Sequence, residues 1–133
     1  MRLIAAILAL AAPLAHAEPI PPGAYRVAVE IVLPNIESRD YGFVTTLCWR
    51  GASDPDMPLG PLGPGPLRTC PAKARSARGE VTVDTVCPGP NAGWASARYR
   101  AVPGGFRGSV AINLGGKNMT LTEIQRGRRT GPC

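Results

Sequence analysis

Four cysteines, a handful of carboxylates and a set of arginines are the residues of this chain that could do chemistry. Cys48, Cys70, Cys87 and Cys133 contain no C-x2-C pair, so neither a four-cysteine zinc site nor a dithiol redox centre fits their spacing. An even count in an oxidising compartment reads instead as two disulfides. Among the carboxylates, Glu30, Glu37, Asp40, Glu80, Asp84 and Glu123 fall in or near strand-like segments. A glycosidase would need two of them converging about 5–10 Å apart, and Glu30, Glu80 and Asp84 occupy polar-phase positions that ordinarily face solvent. Asp54-Pro55-Asp56 could offer oxygen ligands to calcium, but the proline breaks the loop pattern of a dedicated site. The one histidine, His16, lies in a segment that reads as a cleaved leader. Without it the mature chain lacks Ser-His-Asp and Cys-His catalysis, histidine metal sites and His-ligated haem. The expectation is a protein with no catalytic residue, no metal and no cofactor.

The leader is residues 1–17. Arg2 supplies the positive start, Leu3 to Leu14 the apolar stretch, and Ala15-His16-Ala17 the small-x-small form cut by signal peptidase. The apolar stretch falls short of the ~20 residues of a membrane-spanning helix, although a retained N-terminal anchor is the competing reading. No cysteine follows the cut, as a lipoprotein would require. Cleavage after Ala17 takes 17 of 133 residues and leaves 116, one domain over 18–133, with the formal charge falling from +6 to +5 as Arg2 departs. Export to the periplasm removes nucleic acid from the expected partners. Anionic envelope components or a periplasmic protein remain, with no integral membrane segment; oligomeric state is left open.

Thirteen arginines stand against two lysines, and arginine is the better phosphate binder. Arg126, Arg128 and Arg129, with Arg98, Arg100 and Arg107 on nearby strands, could form a cationic face for an anionic partner. A merely solvated end of the sheet would account for the same residues. The aromatics Tyr25, Tyr41, Phe43, Trp49, Trp94, Tyr99 and Phe106 could line a pocket for a small apolar ligand, but with so few bulky residues the core needs most of them. Asn118-Met119-Thr120 matches the glycosylation sequon, a pattern that short sequences meet by chance.

The elements that must hold these residues are strands. Tyr25, Val27, Val29, Ile31 and Leu33 alternate with more polar residues over 24–33, and Tyr41, Phe43, Thr45, Leu47 and Trp49 form the inward face of a second strand over 41–49. Residues 50–69 are rich in proline and glycine and read as polyproline or coil. A weak basic edge strand over 71–77 follows, then 80–87 with Val81, Val83 and Thr85 on one side. Strands over 94–102 and 106–114 join at Pro103-Gly104-Gly105, the latter aligning Phe106, Val110, Ile112 and Leu114 on one face. Gly115-Gly116 is a two-residue hairpin signal into a strand over 118–126, with 127–133 as a tail. The fold class is all-β: an antiparallel meander of about six to seven strands, curved or partly closed into a barrel, with two disulfides. If Arg78-Gly79 is a hairpin tip, Ala77 pairs with Glu80. Counting outward then places Cys70 opposite Cys87 at a non-hydrogen-bonded position, with Cα atoms about 4.5 Å apart, near the short limit for a disulfide. Elimination pairs Cys48 with Cys133.

Several short motifs run in a familiar order: Pro22-Gly23-x-Tyr25 opening the first strand, Cys48 closing the second, and Cys70 and Cys87 bracketing a hairpin. Gly105-Phe106-x-Gly108 and the closing Gly127-Arg128-Arg129-x-Gly131-Pro132-Cys133 complete them. In this the chain resembles a family of small exported proteins of Gram-negative bacteria known only as a domain of unknown function. The methionine-rich strands common there are mostly missing, Met57 and Met119 being the only mature methionines. The resemblance implies a periplasmic β domain with two disulfides and implies no activity. The function expected is therefore a non-enzymatic binding module of the cell envelope, working through a basic face. The alternative is a carrier of a small apolar ligand in a half-barrel cleft, lidded by residues 50–69.

Overall fold

The computed structural model describes residues 19–37, 41–51, 59–63, 65–116 and 120–133. The leader, Asp40, Asp54-Pro55-Asp56, Met57 and the Asn118-Met119 part of the sequon lie outside them. Seven antiparallel strands make one sheet: β1 (Gly23–Val32), β2 (Gly42–Trp49), β3 (Ala72–Ala77), β4 (Glu80–Val86), β5 (Trp94–Val102), β6 (Gly105–Asn113) and β7 (Thr120–Gly131). Their spatial order is β2-β1-β7-β6-β5-β4-β3. Apart from β2 and β3, each strand lies beside its neighbours in sequence, and β7 returns to pair with β1. Because β2 and β3 do not pair, the sheet is not closed, and those two strands are its edges.

The period-two pattern acts as expected. Tyr25, Val27 and Val29 of β1, Val81, Val83 and Thr85 of β4, and Ala95, Ala97 and Tyr99 of β5 are buried on one face. Their alternate neighbours face outward. Two glycines fix how two of the core rings lie. Gly108 stands opposite Tyr99 and Gly127 opposite Phe106 in the ladders. A Cβ on either glycine would sit 2.1 Å from the facing ring, so each ring lies flat across the strand beside it. Phe106 in turn meets Tyr25 at 5.3 Å and Tyr99 edge-on at 5.6 Å between ring centroids, separations typical of attractive aromatic pairs.

Both disulfides form in the expected pairing, the first from the hairpin and the second by elimination. Arg78 and Gly79 hold φ of 54° and 74°, Ala77 faces Glu80, and Cys70 bonds Cys87 with Cα atoms 4.9 Å apart. Cys48 bonds Cys133 at a Cα separation of 5.6 Å. Cys48 faces Ala24 and Ala24 faces Gly131, so this bond reaches across β1.

Three local expectations are corrected. The C-terminal tail is strand as far as Gly131, because β1 offers it a second ladder. Asn113 pairs with Thr120, a register that does not centre on a two-residue turn at Gly115-Gly116. Tyr41 and Leu114 are exposed, lying just beyond the strand ends where the core has stopped. The described part of the proline-rich stretch is coil with a single 3-10 turn over Pro66–Thr69, as its composition implies, and Leu59, Gly60, Pro61, Leu62 and Leu67 in it are buried. Residues 59–63 pack on the inner face of the sheet. Each buried leucine contributes about 1.5–3 kcal/mol, and the prolines leave less chain entropy to lose on ordering.

Candidate functional site

Among the described residues the inner face holds one polar cluster, and it is structural in its bonding. Glu123 is 2% exposed and Gln125 is 0% exposed, both pointing inward from β7. The Glu123 carboxylate accepts from the Leu62 and Gly63 backbone N–H groups at 3.2 and 3.1 Å, and from Gln125 Nε2 at 2.8 Å. Gln125 Nε2 and the Tyr99 hydroxyl both donate to the Gly60 carbonyl, at 3.1 and 3.2 Å. Burial, with Glu123 nearby, pushes the Tyr99 hydroxyl well above its usual pKa, against the pull of its bond to Gln125. A strand cannot hydrogen-bond a proline-rich segment in register, so side chains from the sheet satisfy its backbone instead. The space beside this segment, lined by Ile31, Leu67, Ile112 and Leu121, is about 130 Å³, below the ~300 Å³ of a small-molecule pocket.

Of the other carboxylates, Glu30 and Glu37 line one open groove with Arg126, and Glu80 faces Arg100 across β4 and β5. Glu30 meets Arg126 at 3.4 Å, and Asp84 meets Arg75 at 3.1 Å while accepting from Ser96 Oγ. Glu37 is exposed on the β1–β2 connection. Among the described residues no three acidic, cysteine or histidine side chains group as metal ligands.

Charge collects on the outer face. Arg100 stands directly opposite Arg107, and Arg107 directly opposite Arg126, making a row across β5, β6 and β7. One row further along, Arg128 faces Arg26 across β7 and β1. Arg98 lies one row the other way, opposite Ser109. All six are exposed. With strands about 4.8 Å apart and rows about 6.8 Å apart, the three-arginine row spans about 10 Å and the Arg26–Arg128 pair lies beside it. Among the described residues only Glu30 forms an ion pair with this group, through Arg126. Arg126 and Arg128 are thus brought together as their spacing of two demands. Arg129 is not with them: strand alternation turns it to the opposite face, where its Nε donates to the Pro22 carbonyl at 3.0 Å. There it lines an open groove of about 740 Å³ with Arg78, Tyr25 and Pro103-Gly104-Gly105. Tyr25 donates to the Pro21 carbonyl and its pKa is raised, mainly by burial, with Arg129 pulling the other way. Arg26 is the member sequence reasoning missed; its outward phase in β1 was the available signal, but its neighbour Arg128 is a hundred residues away in the chain.

The opposite end of the strands is apolar. Val32, Ile36, Tyr41, Val86, Trp94 and Leu114 are all exposed there, so the outer surface has a basic end and an apolar end. Trp94 and Tyr41 therefore do not join the core, whereas Trp49 does, its Nε1 donating to the Ile20 carbonyl at 3.3 Å.

In class, this is an open, all-β meander sheet of seven strands with residues 59–63 and Leu67 packed on its inner side, stapled by two disulfides of the kind found in oxidising compartments. No helix among the described residues is long and apolar enough to cross a membrane. No protein-family model, curated protein or solved structure matches the chain, so function has to be read from geometry.

Proposed function

We propose that this protein is an exported, periplasmic, non-enzymatic module of the cell envelope that holds an anionic partner on its outer face. The observation that carries the reading is the unbroken row Arg100–Arg107–Arg126 beside the Arg26–Arg128 pair. Like charges directly opposite one another on a sheet are destabilising, and only the ends of the row have an acidic neighbour, Glu80 opposite Arg100 and Glu30 against Arg126, which leaves Arg107 between two cations. A bound polyanion offsets that cost by neutralising all of them, and guanidinium forks suit phosphate and carboxylate oxygens. The two disulfides support the compartment.

The test is cell fractionation and vesicle sedimentation of the mature protein. Wild type should co-sediment with vesicles containing phosphatidylglycerol but not with pure phosphatidylcholine, and more weakly as salt rises. Arg107→Glu combined with Arg126→Glu should abolish binding, whereas Arg129→Glu, on the other face, should not. Unchanged sedimentation and fractionation of the double variant would sink the proposal. The alternative, a carrier of a small apolar ligand, has less support, because the inner face such a ligand would occupy is covered by Leu59, Leu62 and Leu67. A reproducible extra mass in native mass spectrometry, lost on denaturation, would favour it.

A further inference from the structure

The two edges of the sheet are built differently. β3 carries Lys73 and Arg75, the usual charged defence of an edge strand against pairing. β2, Gly42–Trp49, reads Gly-Phe-Val-Thr-Thr-Leu-Cys-Trp, without a charge or a proline over eight residues. Its ladder phase follows from the bond of Ile31 N–H to the Tyr41 carbonyl at 2.7 Å. Residues 41, 43, 45, 47 and 49 direct their backbone groups to β1. Gly42, Val44, Thr46 and Cys48 therefore turn both N–H and C=O toward the open side. Among the described residues no backbone group bonds them there. Val44 is 54% exposed, and Phe43, Thr45 and Leu47 are only half-buried on the inner face.

From this we infer that β2 is a pairing edge whose partner is β2 of a second copy of the chain, in antiparallel register about a two-fold axis at Thr45. The strand is self-complementary in that register and on both faces. Gly42 meets Cys48 and Val44 meets Thr46 as hydrogen-bonded pairs, so every outward backbone group is satisfied. Between them, on the inner face, Thr45 meets Thr45 of the partner and Phe43 meets Leu47, which completes the burial the single copy leaves half done. Thr–Thr and aromatic–aliphatic pairs are among the stabilising cross-strand combinations. A two-fold axis normal to the sheet keeps inner face with inner face and closes after two copies, so the product is a dimer with a continuous fourteen-stranded sheet. No charge opposes a like charge across it, whereas self-pairing of β3 would bring Lys73 and Arg75 toward their own copies. The dimer also places two arginine faces on one side, doubling the contacts available to a polymer or lipid surface.

The experiment is analytical ultracentrifugation of the oxidised, mature protein over a dilution series, with Thr46→Pro and Val44→Lys as variants. Thr46 directs its N–H away from β1, so proline there removes only an outward donor. Val44→Lys copies the defence already present on β3. Wild type should sediment at twice the monomer mass and dissociate on dilution. Both variants, with disulfides intact and native circular dichroism, should be monomeric at every concentration. A wild type that is monomeric throughout overturns the inference. So does a dimer that survives both substitutions, since it would use another surface. Vesicle binding of a monomeric variant should persist at reduced avidity, which separates failure of this pairing from failure of the anionic-partner reading.

Discussion

Replacing Arg107 by glutamate should stabilise this protein while removing the binding its arginine row supports. Arg107 is the centre of that row, opposite Arg126 on β7 and Arg100 on β5. The bond of Arg129 N–H to the Gly104 carbonyl at 2.9 Å fixes the β6–β7 phase and makes Arg107–Arg126 a non-hydrogen-bonded pair, where side chains stand closest. Each like-charge pair costs roughly 0.2–1 kcal/mol, and a charge reversal turns both costs into gains of similar size. Exposure of the side chains trims this through solvent screening, leaving a net stabilisation of about 1 kcal/mol at low salt. For a domain of this size that is a rise in Tm of roughly 4–6 °C. Thermal unfolding followed by circular dichroism in about 10 mM and about 1 M salt is the assay, since the Debye length falls from about 30 Å to about 3 Å between them. The rise should shrink several-fold in high salt. A fall in Tm, or a shift indifferent to salt, would refute the reasoning and with it the claim that the row is held at a cost. Stability gained as binding is lost is the behaviour of a surface kept for function rather than for folding.

Glu123→Gln keeps the side-chain size but turns an amide N–H toward the Gly63 N–H. Urea unfolding should show a loss of about 1–3 kcal/mol, with new proteolytic cleavage within 59–69; an unchanged midpoint and cleavage pattern would show that the carboxylate does not pin the segment. Gly127→Val drives a side chain into the Phe106 ring and should cost about 2 kcal/mol or more, partly recovered by adding Phe106→Leu; no change in midpoint would count against the flat ring packing. Replacing Cys48 and Cys133 by serine should destabilise by about 4.5 kcal/mol and replacing Cys70 and Cys87 by about 3 kcal/mol, following loop lengths of 85 and 17 residues. The reverse order in denaturant titrations would discredit the chain-entropy account. The Tyr99 pKa is raised above 10.0 on folding, so its share of stability is complete below pH 10 and is lost as pH climbs beyond, toward the folded pKa. Its tyrosinate absorbance should emerge only with alkaline unfolding, and ionisation in the folded state would contradict its burial.

Much of this architecture is legible locally. Alternation along 24–33, 80–87 and 94–102 fixes which side chains face inward, because successive Cβ atoms in a strand point to opposite faces whatever lies around them. The tip at Arg78-Gly79 fixes a register and, through it, the Cys70–Cys87 bond, leaving Cys48–Cys133 as the remaining pair. The same alternation separates Arg129 from Arg128 once residues 127–131 are strand. Three things required the tertiary structure. That β7 returns to β1, extending the C-terminal strand to Gly131, depends on two segments a hundred residues apart finding each other. The Arg26–Arg128 pair and the three-arginine row exist only through that strand order. Residues 59–67 carry no periodicity, so nothing in them says whether they lie over the sheet or within it. Their place is set by the inward-facing Glu123, Gln125 and Tyr99, which bond backbone groups they meet only in the folded chain. A period is a local property of the backbone, while strand order and the seat of an aperiodic segment are decided by contacts distant in sequence.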